Sequence, residues 1–408
     1  MSGAGSDGRC NEHLPRICSV SNANDIVDGS PVSGPLSGVL VADFSRILAG
    51  PYATMLLADL GATVIKVEGP GTGDDTRTWV PPTSEDGTAT YYLSINRNKR
   101  SIVLDLADPA DLEIAKRLAA RADVVIENFK PGGLARFGLD NASVSAANPR
   151  IVYCSISGFG TAGGAALPGY DLLVQATSGL MSLTGDADGP PYRAGVAVFD
   201  VITGLHAALA ILAALHHRER TGEGQKVETN LLSAALSGLV NQTSAVLAGG
   251  VVPGRLGNAH LSLFPYEPLP TGDGELIVIA GNDGQFRKLA IAIGAPELLD
   301  DPRFASMGSR NAHRDELRPL LLARLATKTA QEWFDILATA GVPCGPINTI
   351  DDGIALAERL GLDPVVEPGG VPSVRNPVTY SATPPSYRRP PPALDADGEE
   401  IREWLLSE

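Results

Sequence analysis

Short apolar runs alternate with longer segments of helical spacing along the first half of the chain. The pattern predicts a buried strand at residues 38–43, a helix at 49–60 and a second strand at 62–68. Gly61 is suited to end the helix because glycine adopts the left-handed conformation of a C-terminal cap. A strand, a helix and a strand in this order predict two parallel strands with a right-handed crossover.

The same alternation continues to residue 156. Further strands are predicted at 101–105, 123–127 and 150–156, and helices at 109–120 and 134–137. Repeated alternation of this kind predicts an α/β fold, with a Rossmann-like, doubly wound parallel sheet in a large domain. Two apolar helices are then expected at 200–218 and 229–247.

The pattern changes near Gly249, where short strands and amphipathic helices predict a smaller α+β domain. A proline-rich stretch at 364–392 and a final helix at 399–406 follow. We therefore predict four parts of the chain. They are a flexible N-terminal extension at 1–34, a large domain at 35–225, a linker helix with a small α+β domain at 226–345, and a C-terminal segment at 346–408 that returns to the large domain.

Composition excludes several classes of function. The 408 residues carry a net charge of −15, which argues against nucleic-acid or membrane-surface binding, because phosphate affinity needs excess lysine and arginine. No apolar run reaches the ~20 residues of a membrane span, and the N-terminus has no apolar core of a secretory signal. The four cysteines form no CxxC pair and the six histidines are scattered, so we predict no metal site and a cytoplasmic protein.

One glycine motif resembles a dinucleotide-binding fingerprint. Residues 158–163 fit GxGxxG after a predicted strand, but that fingerprint needs a helix that begins at the glycines. Pro168 and Gly169 follow instead, so we expect a glycine-rich loop at the carboxyl edge of the sheet rather than an NAD site.

Basic residues gather where the predicted strands end, which is where open α/β sheets bind ligands. They are Arg46, Arg77, Arg97, Lys99, Arg100, Lys130 and Arg136. A local basic rim suits a polyanion such as the phosphates of coenzyme A. The alternative is a solvated face with ordinary salt bridges, and charge alone favours that alternative.

Nine short segments carry a resemblance to a known family. They are DFSR at 43–46, GATVIKVE at 61–68, NRNKRS at 96–101, ENFKPG at 127–132, SISGFG at 155–160, GYDLL at 169–173, DVITG at 200–204, TGEGQ at 221–225 and VPCGP at 342–346. Each is weak alone, but nine in this order are specific. The chain resembles the family III CoA-transferases, the CaiB/BaiF family.

The resemblance implies an interlocked homodimer whose Rossmann-like domain binds coenzyme A rather than NAD. Coenzyme A and acyl-CoA are then substrates, with a carboxylic acid as the second substrate and no tightly bound cofactor. It also implies Asp200 as the nucleophile. The coenzyme A contacts that it implies are Leu48, Ala49, Arg100, Leu104, Asn128, Phe129, Lys130 and Arg136. Tyr170, His260 and Tyr266 are candidate contacts of the acyl group, and a structural turn is the alternative for His260 and Tyr266.

The implied reaction proceeds through an aspartyl anhydride and an aspartyl-CoA thioester on Asp200. An aspartate with an ordinary pKa of ~3.9 is ionised at neutral pH, and free N–H groups at a helix N-terminus could orient it or hold an oxyanion. By position alone Asp200 would more often be a helix cap, but the nine segments favour the nucleophile.

Two alternatives remain open at this point. The family also contains acyl-CoA racemases, which carry a histidine where this chain has Tyr170. A tyrosine with an ordinary pKa near ~10 is a poor base at neutral pH, so transfer is favoured over racemisation. The other alternative is a non-catalytic acyl-CoA binding protein of the same fold.

Overall fold

A six-stranded parallel sheet forms the larger part of the protein, for which a computed structural model describes residues 33–407. Its strands are β1 (Leu40–Asp43), β2 (Thr63–Glu68), β3 (Lys99–Val103), β4 (Val124–Glu127), β5 (Val152–Ser157) and β6 (Gln225–Asn230). They lie in the order β3-β2-β1-β4-β5-β6, and every neighbouring pair is parallel. The predicted parallel sheet is confirmed, and its strand order reverses between β1 and β4, where such sheets open a crevice.

Helices cover both faces of this sheet. They are α1 (Ala49–Asp59), α2 (Thr90–Leu93), α3 (Pro109–Arg121), α4 (Asn141–Ala147), α5 (Asp171–Thr177), α6 (Leu180–Leu183), α7 (Val198–Thr221), α8 (Leu231–Gly238) and α9 (Val240–Leu247). Alternate residues of β1 enter two cores: Val41 packs with α1 and α7, whereas Leu40 and Ala42 pack with α3.

The sequence missed the last strand of the sheet. β6 has the polar sequence QKVETN and lies at an edge, so it lacks the apolar run that marked β1 to β5. The helix expected at 229–247 begins instead at Leu231 and is divided into α8 and α9. The sheet therefore extends beyond the boundary predicted at residue 225.

A second, smaller unit has a separate antiparallel sheet and its own core. The sheet contains β7 (Tyr266–Pro270), β8 (Glu275–Ile279) and β9 (Cys344–Gly345). Its helices are α10 (Asp283–Ala292), α11 (Met307–Ala312), α12 (Arg314–Leu325) and α13 (Ala330–Thr339). Phe264, Phe286 and Trp333 are among the buried side chains between them.

The C-terminal part of the chain crosses back to the β3 edge of the large sheet. It contains α14 (Ile350–Arg359), the short strands β10 (Val365–Val366) and β11 (Ser373–Val374), and α15 (Gly398–Leu406). Arg97 donates to Asp59 Oδ2 over 2.6 Å and to the carbonyl of Val374 over 2.8 Å. Because this guanidinium is buried, loss of Asp59 would leave a buried charge unpaired.

For the N-terminal extension and for helix α7, the structure describes a different range of residues from the one that the sequence indicated. The extension predicted at 1–34 lies outside the described residues except for its last two. The apolar helix α7 has 24 residues, more than the sequence indicated, and by length and composition alone it could cross a membrane. It packs against α1, α8, β5 and β6, as the central helix of one layer of an α/β sheet does.

The contact between α1 and α7 depends on a glycine. A Cβ on Gly204 would lie 2.6 Å from the carbonyl oxygen of Ala49, whereas a Cβ on the helical Gly353 meets nothing within 4 Å. We predict that Gly204→Ala lowers the free energy of unfolding by about 1–3 kcal/mol, because the helices must move apart. Gly353→Ala should raise it by about 0.5–1 kcal/mol, because alanine is the better helix former.

Urea unfolding followed by circular dichroism would measure both variants. Equal effects of the two substitutions would contradict a close contact at Gly204.

Candidate active site

Helix α7 is capped by a residue from a different helix. Its N-terminal residue, Ala197, offers no side-chain cap, and the carboxylate of Asp171 on α5 takes that role. Oδ1 of Asp171 accepts the backbone N–H groups of Phe199 over 2.8 Å and of Asp200 over 3.0 Å. A carboxylate at this end also interacts favourably with the helix dipole. Asp171 therefore fixes the first turn of α7, which carries Asp200.

Asp200 itself is not the helix cap. Its carboxylate accepts no hydrogen bond from any residue between 33 and 407, and it lines a cavity at the carboxyl edge of the sheet. Burial, together with the nearby charge of Asp171, raises the pKa of Asp200 to about 7. The sequence analysis expected an aspartate with an ordinary pKa, whereas burial and, after it, the like charge of Asp171 raise the pKa in the folded chain.

The first turn of α7 does not offer free donors for an oxyanion. The N–H groups of Phe199 and Asp200 bind Asp171, that of Val198 binds the carbonyl of Val196, and that of Val201 binds the carbonyl of Ala197. The sequence-based suggestion that these groups hold an oxyanion therefore does not fit this arrangement.

The loop before α1 forms the opposite wall of the cavity. Arg46 and Asn128 are joined twice: the N–H of Arg46 donates to Asn128 Oδ1 over 3.0 Å, and Asn128 Nδ2 donates to the carbonyl of Arg46 over 2.7 Å. Ile47 has a φ of 70°, which is strained for a β-branched residue, and its N–H donates to Asp74. Strain held by surrounding bonds is typical of functional loops.

A buried ion network supports this loop from below. Lys66 Nζ donates to Asp74 Oδ2 over 2.7 Å and to the carbonyl of Ser45 over 3.1 Å. Burial acts to raise the pKa of Asp74, but Lys66 holds it below its ordinary value. Burial lowers the pKa of Lys99 to about 8, although Asp43 lies 3.3 Å from its ammonium group. Buried ion pairs thus hold the carboxyl ends of β1 and β2, and because they are buried a ligand does not contact them.

The cavity encloses about 650 Å³ between these walls. Many of the residues that the resemblance implied lie together in its lining, namely Leu48, Ala49, Asn128, Phe129, Lys130, Tyr170 and Asp200. It also contains an aromatic pair, Trp79 and Tyr91, whose rings meet edge to face at 5.0 Å. Burial raises the pKa of Tyr91 to about 12, with a contribution from the charge of Asp200.

Three implied contacts of coenzyme A do not line the cavity. Arg100 lies on β3, where its buried guanidinium binds Asp397 and Glu400 of the C-terminal segment. Leu104 belongs to the core against α3, on the other face of the sheet. Arg136 lies over the ring of Phe137 at 4.5 Å. Within the described chain, Arg100 is therefore held by ion pairs and Leu104 by core packing.

The predicted basic rim needs a similar correction. Arg77 binds Glu68, Arg97 binds Asp59 and Lys99 binds Asp43, all in internal ion pairs. For these residues the alternative of ordinary salt bridges is correct. Of the rim that the sequence predicted, Arg46 and Lys130 reach the cavity.

The small unit keeps its two candidate residues together but apart from the cavity of the same chain. The rings of His260 and Tyr266 lie 5.0 Å apart, and His260 Nδ1 accepts the N–H of Ser262. Neither residue lines the cavity that contains Asp200.

Sequence reasoning missed three residues of this site. Asp171, Gln175 and Arg193 either line the cavity or hold its wall. The signal for Asp171 was present in the GYD segment, of which only Tyr170 was considered. As expected, the glycines at 158–163 lead into a loop and not into a helix.

Comparisons with known proteins agree with this geometry. A family model described as CoA-transferase family III matches residues 36–398. The chain is 47% identical over 371 residues to a succinate–glutarate CoA-transferase of Agrobacterium fabrum (strain C58 / ATCC 33970), covering 88% of this chain and 93% of that protein. It is 39% identical over 372 residues to an acetyl-CoA:oxalate CoA-transferase of Acetobacter aceti, covering 90% and 95%.

A solved structure shows the same fold. The crystal structure of a CAIB/BAIF family protein from Brucella suis matches with a TM-score of 0.83 and 44% identity, covering 91% of this chain and all of that one (100%). The family match spans almost all of the described residues, and both of these relatives are named as CoA-transferases. The chain therefore belongs to CoA-transferase family III and is a CoA-transferase.

Proposed function

We propose that this enzyme moves coenzyme A from an acyl-CoA to a free dicarboxylate through covalent intermediates on Asp200. One observation carries the proposal. A carboxylate without a hydrogen-bond donor among the described residues lies in the same cavity as Asn128, Phe129 and Lys130. An ionised side chain that is positioned by its helix, but not occupied by other bonds, suits a nucleophile.

In the first half of the reaction, Asp200 attacks the thioester carbonyl of the donor. A C–O bond forms, the C–S bond breaks, and coenzyme A leaves as a thiolate. The thiolate then attacks the aspartyl carbonyl of the resulting anhydride. The donor acid leaves as a carboxylate, and an aspartyl-CoA thioester remains on the enzyme.

In the second half, the acceptor carboxylate attacks the aspartyl thioester and releases the thiolate again. The thiolate attacks the acceptor carbonyl of the new anhydride, which yields the product acyl-CoA and restores Asp200. No water, proton or electron is consumed in the balance.

The acid substrates are inferred from the relatives. One is named for succinate and glutarate, the other for oxalate, and all three acids are dicarboxylates. The cavity of this chain contains cationic side chains that suit such anions, Arg46, Lys130 and Arg193.

Cys154 and Cys344 are free thiols, which fits the proposed cytoplasmic location.

We further propose that the chain forms the interlocked homodimer that its resemblance implied. Helices α7 to α9 leave large apolar side chains uncovered, with Leu209 68%, Val240 67% and Leu247 87% exposed. Large apolar side chains exposed in this way favour contact with a second copy. The partner copy would also bring His260 and Tyr266 toward the cavity that they do not reach within one chain.

We predict that Asp200→Ala reduces CoA exchange by at least about 10³-fold, because the covalent route is lost, while binding of coenzyme A persists. The measurement is the transfer of labelled CoA from succinyl-CoA to glutarate, with calorimetric titration of coenzyme A as the control. Incubation of the unsubstituted enzyme with succinyl-CoA and hydroxylamine should modify the peptide that contains residue 200. Turnover near normal in the variant would eliminate Asp200 as the nucleophile.

The pKa of Asp200, raised to about 7 by burial and by Asp171, predicts the pH dependence of the rate. Only the ionised carboxylate attacks, so kcat/KM should rise about tenfold per pH unit below 7 and level off above it. A profile flat from pH 5 to 8 would show that the nucleophile titrates elsewhere.

The same pKa has a consequence for stability that serves as a check. A raised folded pKa stabilises the fold below the unfolded value of ~3.9, and this stabilisation is lost as the pH rises through about 7. Asp200→Asn removes the charge, so at pH 8 it should be more stable than the unsubstituted enzyme by on the order of 3 kcal/mol. The difference should shrink toward pH 4 in urea unfolding, and a difference independent of pH would contradict the raised pKa.

For the assembly, we predict that the enzyme has about twice the chain mass of 42.4 kDa in solution. Leu209→Glu should weaken this dimer, because it places a charge among the apolar side chains of α7 to α9 that the second copy would cover. Leu406→Glu, at an exposed leucine of α15, is the control and should leave the mass unchanged. Light scattering during gel filtration measures both, and a monomeric enzyme would refute the proposed assembly.

A further inference from the structure

The cationic side chains of the cavity belong to two different walls. Arg46 and Lys130 lie on the wall formed by the ends of β1 and β4. Arg193 lies in the segment between α6 and α7, on the wall that also carries Tyr170 and Asp200. A ligand in the cavity therefore meets positive charge from both walls.

Arg46 already has partners. Its guanidinium lies 3.4 Å from Asp75 and 5.7 Å from the ring centre of Phe129, and its backbone is joined to Asn128. These contacts place Arg46 with the residues to which the proposed function assigns coenzyme A, and Lys130 follows Phe129 directly.

Arg193 combines a fixed backbone with a free head group. The N–H of Tyr192 donates to the carbonyl of Thr184 over 2.9 Å, and the N–H of Ala194 donates to Gln175 Oε1 over 2.8 Å. Among residues 33–407, its guanidinium makes one hydrogen bond, a long one of 3.4 Å to the carbonyl of Ala194. No carboxylate of the described chain pairs with it.

Gln175 connects this arginine to the nucleophile. Its amide nitrogen donates to Asp171 Oδ2 and, over 3.2 Å, to the carbonyl of Val196, while its oxygen holds Ala194. Asp171 in turn holds the N–H of Asp200. One group of hydrogen bonds therefore holds the backbone beside Arg193 and the backbone of Asp200, and it fixes their positions relative to each other.

A dicarboxylate acceptor presents a particular electrostatic problem here. One of its carboxylates must react at Asp200, and the other enters a cavity that also contains Asp75 and Asp171. An unpaired second charge would be repelled by these groups. A guanidinium that can bind a carboxylate with two parallel hydrogen bonds removes the penalty.

We propose that Arg193 binds the carboxylate of the acid substrate that does not react, and that it thereby selects dicarboxylates over monocarboxylates. The inference rests on the proposed function, in which a dicarboxylate accepts coenzyme A at Asp200. Arg193 is then a residue that determines specificity, and its charge is not needed for the chemistry of the anhydride or the thioester.

The test compares two acceptors that differ in one carboxylate, glutarate and pentanoate, with succinyl-CoA as the donor. In a reaction made of two half-reactions, kcat/KM for the acceptor reports only on the second one. It is therefore unaffected by changes in how the enzyme binds the donor or reacts with it. Arg193→Ala should lower kcat/KM for glutarate about 10- to 100-fold, while the value for pentanoate changes by less than about twofold. Arg193→Lys should restore part of the loss, because it keeps the charge without the planar fork.

Arg359→Ala, at an exposed arginine of α14, is the matched control and should change neither acceptor. An equal loss with glutarate and pentanoate in Arg193→Ala, or an unchanged preference, would overturn the role of Arg193 while leaving the proposed function intact. If the unsubstituted enzyme itself prefers pentanoate, or transfers no CoA to glutarate, the dicarboxylate proposal fails and the inference fails with it. The two failures are therefore distinguished by the enzyme in which they occur.

Discussion

The active site depends on one carboxylate, that of Asp171, which holds the start of helix α7. Ala197 cannot cap the helix, so the N–H groups of Phe199 and Asp200 bind a side chain from another helix, 28 and 29 residues earlier in the chain. The other oxygen of Asp171 binds Gln175, which fixes the segment that carries Arg193. The proposed nucleophile, the helix end and the backbone beside Arg193 are therefore positioned by a single buried group.

This way of positioning the site has a cost in free energy. Burial and, after it, the like charge of Asp171 raise the pKa of Asp200 to about 7, so its ionised form is disfavoured in the folded state. Ile47 on the facing wall keeps a strained backbone, held by Asp74 and indirectly by Lys66. Both features persist because the parallel sheet beneath them is rigidly paired and has a core on each face. The folding free energy of the sheet and its two cores offsets the unfavourable terms at Asp200 and Ile47.

The sequence predicted the parts of the fold that repeat a pattern. β1 to β5, α1, α3 and α7 follow from apolar periodicity, whereas β6 does not, because an exposed polar edge strand has no such signal. The candidate residues at the ends of β1 and β4 lie together because the sheet brings those ends to one crevice. The ion pairs of Arg100 with residues 397–400 were not predicted, because an arginine near a strand end looks the same in the sequence whether it faces a ligand or a carboxylate of the same chain. Pairings over such distances along the chain are not visible in local sequence.

The raised pKa of Asp200 also affects the acyl transfer that is proposed for this residue. A thiol such as that of coenzyme A has an ordinary pKa of ~8.5, far above the ~3.9 of a normal aspartate. With a pKa of about 7, Asp200 lies closer to the thiol, so attack on a thioester and release of the thiolate become better matched in energy. The carboxylate also gains nucleophilicity while it remains largely ionised at slightly alkaline pH. Burial and the like charge of Asp171 thus bring the basicity of the proposed nucleophile toward that of the thiol with which it would exchange acyl groups.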